Sequence, residues 1–150
     1  MDQIDRKILT ELQCNNLITS AEMSERVGLS ATSVQRRIAR LRADKVIEGD
    51  VSIVSPAAAG RPLMMLVSVE LARERTDIID RFKRSVRSSA EVMSAYSVTG
   101  ETDFVLIVSA KDMADYEAFT REFFYDNPDI KGFKTSVVMD RIKAGFGLPL

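Results

Sequence analysis

The chain has 150 residues, enough for one medium domain or two small ones, and its composition (45% hydrophobic, 29% charged) is that of a globular protein. The net charge is −1, so nucleic-acid binding would have to come from a local patch; the lack of histidine and the single cysteine exclude His-based triads, His-ligated metals, an internal disulfide and a multi-thiolate site. No apolar run reaches the roughly 18 residues of a membrane span and the charged start MDQIDRK is unlike a signal peptide, so the expectation is a soluble, cytoplasmic protein with no cofactor and no membrane partner.

The first helix is expected to be capped by Asp2, with Asp5 in capping-box position and Ile4, Ile8 and Leu12 on one face. Cys14, near its end, reads as a small buried or half-buried residue. Ser20 is expected to cap a second helix, with Glu22 and Glu25 near its positive end and its exit at Gly28. Ser30 caps a third, in which Val34, Ile38 and Leu41 form an apolar stripe. At 100° per residue its far side carries Thr32, Arg36 and Arg40, flanked by Ser33 and Gln35. Arg37 lies at the edge of the stripe, placed to tie this helix to the acids of the first.

Arg36, Arg37, Arg40, Arg42 and Lys45 face a single acid, Asp44, over this helix and its exit. A solvated helix face normally intersperses both signs. Two helices joined by a short glycine turn, the second opening on short polar groups and carrying arginines outward, are the pattern of a DNA-reading helix-turn-helix. The candidate DNA contacts are Ser30, Thr32, Ser33, Gln35, Arg36 and Arg40. VIEGDVSIV then alternates like an extended hairpin, which would complete a winged helix-turn-helix over residues 1–54. SPAAAGRP, with Pro56, Gly60 and Pro62, reads as a linker over residues 55–62.

Residues 63–150 form the expected second domain. LMMLVSVEL alternates as a strand, Thr76 or Asp77 caps a helix carrying Ile78, Ile79, Phe82 and Val86, and VMSAYSVT and FVLIVSA are strands joined by Gly100–Asp103. Asp112 caps a helix that stops before Asn127-Pro128, and FKTSVVMD is the last strand. The order β-α-β-β-α-β is the ferredoxin-like motif, so the chain as a whole is of the α+β class. Both faces of such a sheet would carry apolar residues (Met64, Leu66, Val105, Ile107 and Val138 on the one away from the helices), which implies that another subunit covers it.

Four ordered stretches carry a resemblance: MDQIDRKILTELQ, GLSATSVQRRIARLRADKVIEGD, VTGETDFVLIV and IKAGFGLPL. Together they resemble the Lrp/AsnC, or feast/famine, family of transcriptional regulators over nearly the whole chain. Lys45 departs from the pattern, since the family usually has Gly before Val-Ile. The resemblance implies a sequence-specific regulator of double-stranded DNA that forms a homodimer through its C-terminal domain, and often an octamer. It implies too that this domain senses an amino acid or related small metabolite at the turn Gly100, Glu101, Thr102 and Asp103, with Thr135 and Ser136 as further contributors. A carboxylate there could pair an ammonium and turn N–H groups could bind a carboxylate; equally, Gly100 and Asp103 could simply build a tight hairpin. Two rivals share parts of the outline. One is a ligand-independent architectural DNA-binding protein. The other is an enzyme resembling haem-precursor decarboxylases, which the absence of histidine weakens.

Overall fold

Helix α1 (Gln3–Cys14) begins with a reciprocal capping box. The Asp5 N–H donates to Asp2 Oδ1 (2.8 Å) and the Asp2 N–H to Asp5 Oδ2 (3.0 Å), so two orphan donors of the first turn are satisfied. Helix α2 (Ser20–Val27) starts one residue earlier than its sequence implied. Its cap is Thr19, which forms a second capping box with Glu22, so Ser20 is already inside the helix. Gly28 ends α2 in the left-handed region (φ 70°), a conformation glycine accepts without steric cost. Ser30 caps helix α3 (Ala31–Ala43) by accepting from the Ser33 N–H (3.2 Å). Ile8, Leu9, Met23, Val34 and Leu41 are buried between the three helices, with Ile4, Leu12, Val27 and Ile38 packed around them. Cys14 is exposed rather than buried, because its position falls on the outer side of the last turn of α1.

The hairpin expected at residues 46–54 does not pair within the chain: no strand lies between α3 and β1. The N–H groups of Val46 and Ile47 turn back to the Leu41 carbonyl (2.9 and 3.1 Å), while Val51, Ile53 and Val54 stay exposed. A two-stranded hairpin with no layer to pack on is marginal, and here nothing in the chain covers it. Lys45 has φ 57°, the one non-glycine residue in the left-handed region. The C-terminal residues 142–150, which the sequence assigned to the second domain, join residues 1–53 in one compact unit. Gln13 on α1 holds them through a reciprocal pair: the Leu148 N–H donates to Gln13 Oε1 (2.6 Å) and Gln13 Nε2 to the Leu148 carbonyl (3.1 Å). The computed structural model describes residues 1–150.

The second compact unit is residues 54–141. It contains β1 (Leu63–Leu71), α4 (Thr76–Ser88), β2 (Val92–Ser97), β3 (Phe104–Ala110), α5 (Met113–Thr120), which runs on as a π-helical turn over Arg121–Tyr125, and β4 (Ile130–Val137). The sheet order is β2-β3-β1-β4, antiparallel throughout, as the ferredoxin-like motif requires. Met65, Val67, Val69 and Leu71 from β1 and Phe104, Leu106 and Val108 from β3 line one face of the sheet, where Ile78 and Phe82 of α4 and Tyr116 and Phe124 pack on them. No side chain caps α4. Arg75 occupies the cap position, and Asp77 pairs with Arg75 (3.0 Å) instead of serving as the cap. The opposite sheet face carries Met64, Leu66, Val105 and Ile107, in register across β1 and β3, all partly or fully exposed. No helix is long and apolar enough to cross a membrane.

Candidate functional site

The N-terminus of α3 differs from those of α1 and α2. Acids occupy the first turns of α1 (Asp5) and α2 (Glu22), but the first turn of α3 has none. The partial positive charge of a helix N-terminus is therefore uncompensated there, which favours an anion such as a phosphate. Thr32, Gln35 and Arg36 are exposed beside it. Ser30 and Ser33 are committed locally, since the Ser30 hydroxyl caps the helix and donates to Ser33 Oγ (2.9 Å). Five of the six candidate DNA contacts thus gather at the cap and in the N-terminal half of α3, with Arg40 in its last turn, and they differ in freedom.

The cations of α3 also divide. Arg36 projects into solvent. Arg37 bonds Asp2 Oδ2 (2.6 Å) and Asp5 Oδ1 (2.8 Å), tying α3 to α1 as its place at the edge of the apolar stripe implies. Arg40, although on the outer side of the helix, reaches Asp5 Oδ2 (2.7 Å), and Arg42 pairs with Asp50 (2.9 Å). The hydrogen bond from Arg37, helped by the Asp5 N–H, holds the Asp2 carboxyl down at about 2. Burial pushes the Asp5 carboxyl upward, but the Asp2 N–H, Arg37 and Arg40 together outweigh it and leave the group below its ordinary value. Sequence reasoning tied Arg37 to the acids of α1 but missed that Asp5 also holds Arg40. The available signal was a second acid, inside the capping box, facing a helix with surplus arginine.

In the second unit, Gly100 turns the chain between β2 and β3 with φ 124°, a conformation that excludes ordinary side chains. Gly100 and Glu101 are exposed. Thr102 and Asp103 turn inward onto β1: Thr102 Oγ1 donates to the Val69 carbonyl (2.7 Å), and the Leu71 N–H donates to Asp103 Oδ2 (2.7 Å). The pairing of β1 with β3 ends at Val69 and Phe104, and the Asp103 carboxylate supplies the acceptor for the Leu71 N–H just beyond it. Asp103 therefore builds the turn through one oxygen.

Thr135 and Ser136 do not form one site with each other. Thr135 lies across from Val67 on the helix side and its hydroxyl meets the Tyr116 hydroxyl at 2.5 Å, whereas Ser136 lies across from Leu66 on the other face. Adjacent residues of a strand point to opposite faces, so the pair was divided by the strand period itself. Nearer the turn, on the Leu66 face, Glu70 and Lys131 form an ion pair that sequence reasoning did not single out.

Comparison with known proteins covers both units. The family model described as the AsnC-type helix-turn-helix domain matches residues 1–42, and that of the Lrp/AsnC ligand binding domain matches residues 64–148. A transcriptional regulator of the helix-turn-helix type from Sinorhizobium fredii is 60% identical over all of this chain and 89% of its own length. The leucine-responsive regulatory protein of Escherichia coli K12 is 32% identical over 95% of the chain and 87% of its own length. Among solved structures, a transcriptional regulator of Neisseria meningitidis in complex with L-methionine superposes with a TM-score of 0.93 at 32% identity, covering 99% of this chain and 96% of that one. An AsnC family regulator from Agrobacterium tumefaciens gives the same TM-score and identity, over 99% and 97%.

Proposed function

This chain belongs to the Lrp/AsnC family of helix-turn-helix transcriptional regulators, and from that premise we propose which of its residues read DNA and what its second unit senses. It acts as a DNA-binding regulator and not as an enzyme, which sets aside the decarboxylase alternative. In our reading α3 enters the major groove of double-stranded DNA. Thr32, Gln35 and Arg36 meet base edges, the N-terminal turn around Ser30 and Ser33 meets phosphate, and Arg40 contacts the same duplex further along. The observation that carries this reading is the acid-free N-terminus of α3 with exposed Thr32, Gln35 and Arg36 beside it.

The second unit is proposed to bind a free amino acid, with Glu101 and the unbonded oxygen of Asp103 toward the ammonium and backbone N–H groups near Gly100 toward the carboxylate. The L-methionine complex of the Neisseria relative supports this ligand class. The half-buried Met64, Val105 and Ile107 and the exposed Leu66 support a homodimer formed over that sheet face. Ser136 shares that face and stays a candidate; Thr135 would act only through Tyr116.

The DNA reading is tested on duplexes selected by the wild-type protein from a random-sequence pool, with binding read by fluorescence anisotropy. Arg36→Ala is expected to weaken binding about tenfold to a hundredfold while sedimentation shows the oligomer unchanged. Wild-type affinity would take Arg36 off the contact surface. For the effector, each of the twenty common amino acids is screened by thermal shift on the wild type and on Glu101→Ala. A ligand that raises the midpoint of the wild type and not of the variant locates the sensor at this turn. If no amino acid raises it, the effector is another small metabolite or absent, and the ligand-independent architectural reading moves up.

A further inference from the structure

Asp5 is 1% exposed, and a buried ion pair is by itself weak ground for stability, since apolar replacements of such pairs are often as stable or more so. Its four hydrogen bonds, to three residues, are instead arranged around orientation. Oδ1 accepts from Arg37. Oδ2 accepts from the Asp2 N–H and from Arg40, and the Asp5 N–H is held by Asp2 Oδ1. The carboxylate is thus fixed from the backbone of the capping box and from Arg37, whose side chain is only 25% exposed. Arg40 is the more exposed of the two arginine partners. It gives a single NH2 hydrogen bond to Asp5, and its side chain remains 52% exposed, with the rest of the guanidinium fork turned to solvent.

We propose that Asp5 is a positioning residue for DNA recognition: it braces the Arg40 guanidinium on the outer side of α3 so that the remaining N–H donors meet the duplex in one fixed orientation. This inference rests on Arg40 being a DNA contact. A free arginine side chain loses many rotamers when it binds, and a braced one has fewer left to lose. The brace also narrows the directions the fork can take, which matters for two parallel hydrogen bonds to a guanine edge or a phosphate and is irrelevant to a bare point charge. The α1 capping box and the recognition helix are thereby one construction, with the acid of the first aiming the arginine of the second.

The test is a double-mutant cycle on operator binding, using the full-length protein and the duplex selected from a random pool. Arg40→Ala and Asp5→Asn are each expected to weaken binding about tenfold, and the double variant to bind no more weakly than Arg40→Ala alone, because Asp5 acts only through Arg40. Losses that multiply, about a hundredfold for the double variant, overturn the brace while leaving Arg40 a DNA contact. Arg40→Ala with wild-type affinity removes Arg40 from the interface and overturns the proposal together with that part of the site assignment; Arg36→Ala, which does not touch Asp5, then still tests the rest. Should Asp5→Asn fail to fold, Arg40→Lys decides. Lysine keeps the charge and lacks the planar fork, so binding as weak as that of Arg40→Ala supports a braced fork, and wild-type binding overturns it.

Discussion

The two compact units are held together by different means. Residues 54–141 rest on a sheet packed against two helices, with Phe82, Phe104, Phe119, Phe123, Phe124 and Phe133 in mutual contact. The DNA-reading unit buries five aliphatic or methionine side chains and not one aromatic ring. It adds the charged contact of Asp2 and Asp5 with Arg37 and Arg40 between α1 and α3. Apolar burial is indifferent to pH, whereas a carboxylate network is not. The difference teaches that the DNA-reading unit keeps its geometry partly by a buried carboxylate, on the same helix that must meet a polyanion, while the sensing unit, whose Arg81–Asp129 and Glu70–Lys131 pairs lie nearer the surface, keeps its geometry mainly by packing.

The comparison can be broken most severely at Phe82, which is 1% exposed between α4 and the sheet. Phe82→Ala should destabilise residues 54–141 by about 3–5 kcal/mol. Hydrogen exchange would show protection lost across that unit and largely kept in α1–α3; equal loss in both units would show that they do not stand apart. Acid should do the converse. Asp2 and Asp5 titrate below their unfolded value of 3.8 in the folded state, Asp2 at about 2, so their contribution is complete above the unfolded value. It is lost as the pH falls from there through the folded values. Exchange protection in α1 and α3 is therefore expected to drop between about pH 4 and pH 2, ahead of the sheet. Simultaneous loss would assign the acid response elsewhere.

A smaller effect should sharpen the boundary of the DNA-reading unit. Gln13→Ala removes both bonds to Leu148 and should cost about 1 kcal/mol at this exposed site. Limited proteolysis would then cut within residues 142–150 sooner than in the wild type; an unchanged cleavage rate would mean that the amide pair does not hold the tail. The smallest effect is a gain. Lys45→Gly relieves a left-handed lysine at the exit of α3 and should stabilise the DNA-reading unit by about 0.5–1 kcal/mol, less whatever entropy glycine adds to the unfolded chain. A lower thermal midpoint in this variant would show that the unfolded-state term wins.

Much of this was legible in the residues because it is local. The Asp2–Asp5 box, the exit at Gly28, the cap at Ser30 and the turn at Gly100 each depend on a few neighbouring residues, and each formed as its chemistry requires. Misses of one position, such as Thr19 rather than Ser20, arose where two adjacent hydroxyls could both cap and only the spacing to Glu22 decided between them. The hairpin at 46–54 is a miss of another kind. Its alternating pattern is real, but a strand needs a partner, and this chain offers none within reach.

The sequence by itself determined the order of elements, the helix-turn-helix, the ferredoxin-like sheet and the side of α3 on which Arg36 and Arg40 lie, because periodicity and capping are set by residues close in the chain. Only the tertiary structure decided that Arg40 is bonded to Asp5, that Asp103 spends one oxygen on Leu71, that Thr135 is the one of its pair on the helix side, bonded to Tyr116, and that the last residues return to α1. Each of these joins groups separated by 32 or more residues, or depends on strand register. A long-range hydrogen bond is chosen by which donors and acceptors folding leaves facing each other, and spacing along the chain carries no record of that.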